Sequence, residues 1–271
     1  RGDVLFNAAA VAADGAIRGI VPKCVLPNYR EFYEKRHFHS GRGIMDATAC
    51  IGGREVPFGA DLIFDGGAGF RFGVEICEDL WCVLPPSLYL ALGGARAVFN
   101  LSAGNELAGK ADYRRELVTQ QSARCLAAYV LAGAGVHEST TDLVFGGHAI
   151  IADNGRLAAE NRRFDRESSL TYADVDFERL GAARLSESSF NDNPLPEGMR
   201  FRRVRLPEAA GSPDLRHASI PRHPFVPENA AGRRERCREI FDIQCAGLAK
   251  RIEHTRAKTM VIGISGGLDS T

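Results

Sequence analysis

Three stretches of this 271-residue chain carry residue types that could do chemistry. In GVEICEDLW, residues 73–81, Cys77 directly follows a strand-like run, at the point where the chain must turn and present a side chain. A thiol placed there can attack a carbonyl carbon when a neighbouring base or cation stabilises its thiolate. In IVPKCVLPNY, residues 20–29, Lys23 also closes a strand and supplies a fixed cation. A strand-end cysteine taken alone more often packs as a small hydrophobe, and that is the reading for Cys24, Cys50, Cys82, Cys125, Cys237 and Cys245. In MVIGISGGLDST, residues 260–271, apolar residues run into Ser265, Gly266 and Gly267, followed by Leu268, Asp269 and Ser270. Small residues after a strand free successive N–H groups to converge on an anion, and a following helix adds its positive end. No lysine follows these glycines as it does in a Walker A loop, so γ-phosphoryl transfer is not implied.

The elements that must position these residues alternate between short strands and helices. LFNAAAVAADGAIRGIVPK reads as two strands joined by an Asp14-Gly15 turn. GFRFGVEI is a strand ending at Cys77, PPSLYLALGGA a helix opened by proline and closed by glycine, and RAVFNLS a buried strand. Between Tyr113 and Val130 the pairs Leu117-Val118, Cys125-Leu126 and Tyr129-Val130 fall on one helical face, which predicts a helix over that span. LVFGGHAIIA, an Asn154-Gly155 turn and RLAAE form a second hairpin. His137 and His148 lack ligand spacing and read as core or surface residues.

Seven of the twelve prolines then fall between Pro194 and Pro227, as in a linker or an arm lying over the surface. Phe241, Cys245, Leu248 and Ile252 follow at i, i+4, i+7 and i+11, an amphipathic helix that delivers the chain to strand MVIGI. The expected division is 1–180, 181–232 and 233–271.

Composition narrows the class. With 45% hydrophobic and 25% charged residues, the chain can bury a sizeable core. Its zero net charge offers no global field to recruit nucleic acid or an anionic membrane. No apolar run approaches the ~20 residues that span a bilayer, and RGDVLFNAAAV lacks a signal-peptide layout. Seven widely spaced cysteines with no C-x-x-C pair point to reduced thiols, so a cytoplasmic location is expected.

The loop at residues 265–270 resembles the S-G-G-x-D-S loop of the PP-loop ATP pyrophosphatases, which cleave ATP between its α- and β-phosphates. That resemblance implies that Ser265, Gly266, Gly267, Asp269 and Ser270 bind ATP and pyrophosphate, with Asp269 as an oxygen ligand for Mg²⁺. The stretches around Lys23 and Cys77 resemble the nitrilase superfamily, whose triad is Glu, Lys and Cys. The nearer resemblance is to the glutaminase domain of the glutamine-dependent NAD⁺ synthetase family. K-x-x-L-P-N-Y-x-E-F-Y-E-x-R, G-V-E-I-C-E-D-L-W, N-L-S, R-C-L-A-A-Y, E-S-T-T-D-L, H-P-F-V-P and I-G-I-S-G-G-x-D-S all occur here in order, from residue 20 onward.

The resemblance implies an α/β fold: a nitrilase-like α-β-β-α sandwich, then the first strand and phosphate loop of a Rossmann-like PP-loop domain. It implies that Cys77 attacks the side-chain amide of glutamine, that Lys23 stabilises the oxyanion, and that Glu34 orients the triad. Tyr29, Glu78, Ser102 and Lys110 would bind glutamine. The activity implied is glutamine hydrolysis, with ammonia passed to ATP-dependent amidation of nicotinic acid adenine dinucleotide, in a large homo-oligomer.

Two departures qualify it. Gly104 stands where many relatives carry serine, and no F-P-E-L glutamate, the family's general base, precedes Lys23. A chain truncated at both ends is therefore expected, one that alone neither hydrolyses glutamine nor folds fully. Two other readings remain open: a nitrilase-type amidotransferase or amidohydrolase fused to a PP-loop ligase with another acceptor, and a non-catalytic oligomerisation module.

Overall fold

A computed structural model describes residues 4–208, 216–217, 222–223, 225–227 and 229–268. The chain divides into two compact units, 1–218 and 219–271.

The first unit is built on two sheets. β1 (Ala8–Ala13) and β2 (Ala16–Pro22) form the first predicted hairpin. Its turn residues Asp14 and Gly15 have φ of 49° and 69°, the left-handed pair that an Asp-Gly turn supplies. β3 (Ala47–Ile51) and β4 (Arg54–Phe58) form a second hairpin, and the pairing of Ile20 with Phe58 joins the two into a sheet of order β1-β2-β4-β3.

The larger sheet holds β5 (Leu62–Asp65), β6 (Arg71–Ile76), β7 (Ala97–Ser102), β8 (Ala128–Gly133), β9 (Ala149–Asp153), β10 (Arg156–Glu160) and β11 (Arg202–Arg205). Their order is β10-β9-β8-β7-β6-β5-β11. β6, β7 and β8 are parallel, and their crossovers run through α1 (Pro86–Leu92) and α2 (Lys110–Cys125).

The sheets pack face to face. Ala9 and Val21 of the smaller sheet meet Leu62, Phe64, Phe72, Val74 and Ile76 of the larger one. The approach is close enough that a Cβ on Gly19 would lie 2.7 Å from the Phe64 ring. On the other face of the larger sheet, Val118 of α2 packs on Val98, Tyr129, Leu131 and Ile150, and Leu90 of α1 packs on Ile63.

In two places the first unit departs from the sequence reading. The helix expected to reach Val130 ends at Cys125, because Leu126 turns left-handed at φ 44° and Tyr129 and Val130 enter β8. Pairing with β7 and β9 on both sides overrides the helical spacing there. Within the stretch read as an arm, α3 (Phe177–Ser186) begins just before it, and α4 (Ser188–Asn191) and strand β11 lie inside it.

The second unit contains α5 (Ala230–Thr255), capped by the Asn229 side chain, which accepts from the Gly232 N–H at 2.6 Å. It is the predicted amphipathic helix, but Phe241 and Leu248 are exposed. Residues 260–264 form no strand, because no described strand pairs with them and an isolated strand leaves its backbone groups unpaired. Among the described residues no helix is long and apolar enough to cross a membrane.

Candidate active site

β6 delivers Cys77 to the end of the larger sheet, where the chain reverses through a short 3₁₀ turn over Cys77–Asp79. Cys77 takes a φ of 49°, a conformation that a non-glycine residue adopts at a cost and that recurs at functional turns. The neighbouring strand holds it there. Asn100 of β7 accepts a hydrogen bond from the Cys77 N–H through Oδ1 at 3.1 Å. Its amide nitrogen donates to the Tyr129 hydroxyl at 3.1 Å, and Tyr129 in turn donates to Glu75. Glu75 also accepts from the Ser87 N–H at 2.8 Å. Full burial pushes the Glu75 carboxyl up, opposed by these hydrogen bonds, and pushes the Tyr129 hydroxyl well above its ordinary value. The turn thus rests on a buried network of hydrogen-bonded polar groups.

β2 delivers Lys23 from the opposite sheet. The side chain is 1% exposed, and its Nζ donates to both carboxylate oxygens of Glu34, at 2.7 and 2.8 Å. A buried ammonium needs such a partner to remain charged. Glu34 comes from a 3₁₀ turn, Glu34–Arg36, in the long connection between β2 and β3.

Lys23, Glu34 and Cys77 line one cavity of about 630 Å³, together with Tyr29, Glu78, Ser102 and Lys110. The structure therefore brings together every residue of the predicted glutamine site. The Tyr29 hydroxyl donates to Glu78 Oε1 at 2.8 Å, and burial followed by that bond pushes it up to about 12. Lys110 donates to Asn105 Oδ1 at 2.7 Å and lies 5.4 Å from the centre of the Trp81 ring. Its pKa is lowered, first by desolvation and then by Arg114. Asn105 donates to Glu31 at 2.6 Å, so a chain of polar groups crosses the cavity from Lys110 to the β2–β3 connection. Gly104 also lines the cavity, so the departure from serine falls inside the site.

Sequence reasoning missed Asn100, Asp79, Glu31 and Asn105. Each lies within a few residues of a named one, so motif proximity was the available signal. Their partners are up to 74 residues away in the chain. Ser265, Gly266 and Gly267 lie in the second unit, and Asp269 and Ser270 fall outside the described residues.

Strand-borne cysteine and lysine, a glutamate on the lysine, and two facing sheets define a class. The carbon-nitrogen hydrolase family profile matches residues 1–185, and the chain belongs to that family, whose fold is nitrilase-like. It is 44% identical over 274 residues to the glutamine-dependent NAD(+) synthetase of Mycobacterium tuberculosis, a match covering 98% of this chain and 40% of that relative. A solved glutamine-dependent NAD(+) synthetase from Cytophaga hutchinsonii superimposes with a TM-score of 0.55 at 27% identity, over 62% of this chain and 27% of that one. The Acinetobacter baumannii synthetase, solved in complex with adenosine diphosphate, gives 0.50 at 27% identity over the same shares. The chain thus spans 40% of the length of its mycobacterial relatives.

Proposed function

We propose that this chain is the glutamine-hydrolysing portion, with the start of the ATP-dependent portion, of a glutamine-dependent NAD⁺ synthetase. The observation that carries the reading is the meeting of Cys77 and the Glu34-paired Lys23, from separate sheets, in one cavity. The Cys77 sulfur attacks the side-chain amide carbon of glutamine, and the carbonyl oxygen takes up negative charge. Lys23 stabilises that oxyanion; a preorganised cation in a water-poor site is suited to the role. Collapse breaks the C–N bond, and the thiol proton departs with the nitrogen as ammonia. Water then hydrolyses the thioester to glutamate and restores the thiol. Glu34 holds the Lys23 ammonium in place through both of its carboxylate oxygens. Tyr29, Glu78, Ser102 and Lys110 hold the substrate, Lys110 offering a cation for its α-carboxylate.

In this reading residues 1–180 are the glutaminase, 181–232 a linker or arm, and 233–271 the beginning of the PP-loop domain. Ammonia passes to nicotinic acid adenine dinucleotide activated by ATP, giving NAD⁺, AMP and pyrophosphate. The ADP complex of the Acinetobacter synthetase supports the nucleotide. Mg²⁺, a homo-oligomer and a cytoplasmic location belong to the same proposal. In the full-length gene product, Cys77→Ala should abolish NAD⁺ formation from glutamine and leave formation from ammonium salt intact. Retained glutamine-driven synthesis would remove Cys77 from the mechanism.

A further inference from the structure

We propose that Asp79 is a positioning residue for amide hydrolysis: its buried carboxylate straps the strand end bearing Lys23 to the turn bearing Cys77. The inference rests on the glutaminase reading of the same cavity. Asp79 is 1% exposed. Through Oδ2 it accepts the Ile76 N–H at 2.9 Å, which ties it to the residue before the nucleophile. Through Oδ1 it accepts two N–H groups from the connection just beyond β2, Cys24 at 3.1 Å and Val25 at 2.7 Å. An acid that merely completed its own turn would stop at Ile76. Asp79 instead takes the donors that β2 leaves over: the Lys23 N–H still bonds the Asn7 carbonyl, but the next two N–H groups along the chain go to Asp79.

The nucleophile and the cation sit on elements 54 residues apart, and this carboxylate bridges the two backbones directly. Burial, the largest influence, pushes its pKa up to about 7 against the pull of the Ile76 N–H. Every partner named is a donor, so an isosteric asparagine would set its own NH₂ group against at least one of them. A shift of about 1 Å between reacting groups can cost about a hundredfold in rate.

The test uses the full-length gene product, with Cys77→Ala measured alongside. Asp79→Asn should lower kcat for glutamate release from glutamine by about ten- to a hundredfold and leave KM within about threefold. Ammonium-driven NAD⁺ formation should be unchanged, and Asp79→Glu should recover part of the lost kcat. A kcat equal to that of the parent overturns the proposal. So does a loss shared equally by the ammonium-driven reaction, which marks a general folding defect. If Asp79→Asn does not fold, Asp79→Glu decides: selective loss of glutamine turnover supports the strap, and unfolding of both variants makes Asp79 a stability element and overturns it. Glutamine turnover that survives Cys77→Ala sinks the glutaminase reading itself, whatever the Asp79 variants do.

Discussion

His148, buried against Arg114 of α2, has its protonation state written in its contacts. Arg114 Nη1 can only donate, and it lies 2.8 Å from Nδ1, so Nδ1 is an acceptor and the hydrogen sits on Nε2, 2.6 Å from Glu160. The neutral ring fits this niche, and the His148 pKa is lowered, first by burial, with the Glu160 bond opposing and the Arg114 charge assisting. The native state therefore resists a proton that the unfolded chain accepts at about 6.5. Such a group contributes stability above the unfolded value, and that contribution is lost as pH falls toward the folded one. Thermal unfolding between pH 7 and 5 should show the melting temperature falling with pH, more steeply than in His148→Gln. Equal slopes would mean that the imidazole does not carry the effect. Among single residues, Cys77 and Lys23 were legible because each ends an apolar strand pattern inside a short motif. Asn100 and Asp79 were not, because what they do depends on partners brought near only by the folded sheets.

At the level of elements, one side chain ties α3 to both α1 and α2. The Arg184 guanidinium donates to the carbonyls of Ala91 and Ala95 around the end of α1, at 3.2 and 2.7 Å, and to those of Cys125 and Leu126 at the end of α2, at 2.9 and 3.1 Å. Helix C-termini leave carbonyls without intrahelical partners and carry partial negative charge, so a cation serves both helices at once. Burial lowers the Arg184 pKa to about 10, which leaves it charged at neutral pH. Arg184→Met keeps the bulk and removes the donors; it should cost at least about 3 kcal/mol, since several buried acceptors are left unpaired. A denaturant midpoint indistinguishable from that of the parent would refute this. Elements differ in how openly the sequence announces them. Asp14-Gly15 and Asn154-Gly155 declare their hairpins because few other residues accept two consecutive positive φ angles. The end of α2 is concealed, because Leu126 adopts a left-handed conformation that nothing in its chemistry favours. β11, four residues long and rich in arginine, reads as surface until β5 is there to pair with it.

Across the whole first unit, Arg202 is one of the fastenings between the two sheets. From β11 it donates to both oxygens of Asp61 at 2.7 and 2.8 Å, and to the backbone carbonyls of Ala47 in β3 and Phe58 in β4. Its sequence separation from Asp61 is 141 residues. Closing so long a loop is entropically unfavourable, and contacts of that range slow folding. The fastening therefore belongs late in the order of events. Interactions absent from the transition state govern unfolding rather than folding. Arg202→Ala should accelerate unfolding in stopped-flow denaturant jumps and leave the refolding rate nearly unchanged; a refolding rate slowed in proportion to the lost stability would place this contact in the nucleus instead. There is a consequence for the chain during synthesis. β5 emerges with its outer edge bare and stays so until more than a hundred further residues have left the ribosome, about 5–30 seconds at ordinary elongation rates. For that interval the row Leu62, Ile63 and Phe64 is an unpaired apolar strand edge, the kind of surface on which nascent chains stick to one another. The late-arriving arginine-rich β11 is the strand that pairs with that edge, so until it emerges elongation and association compete there.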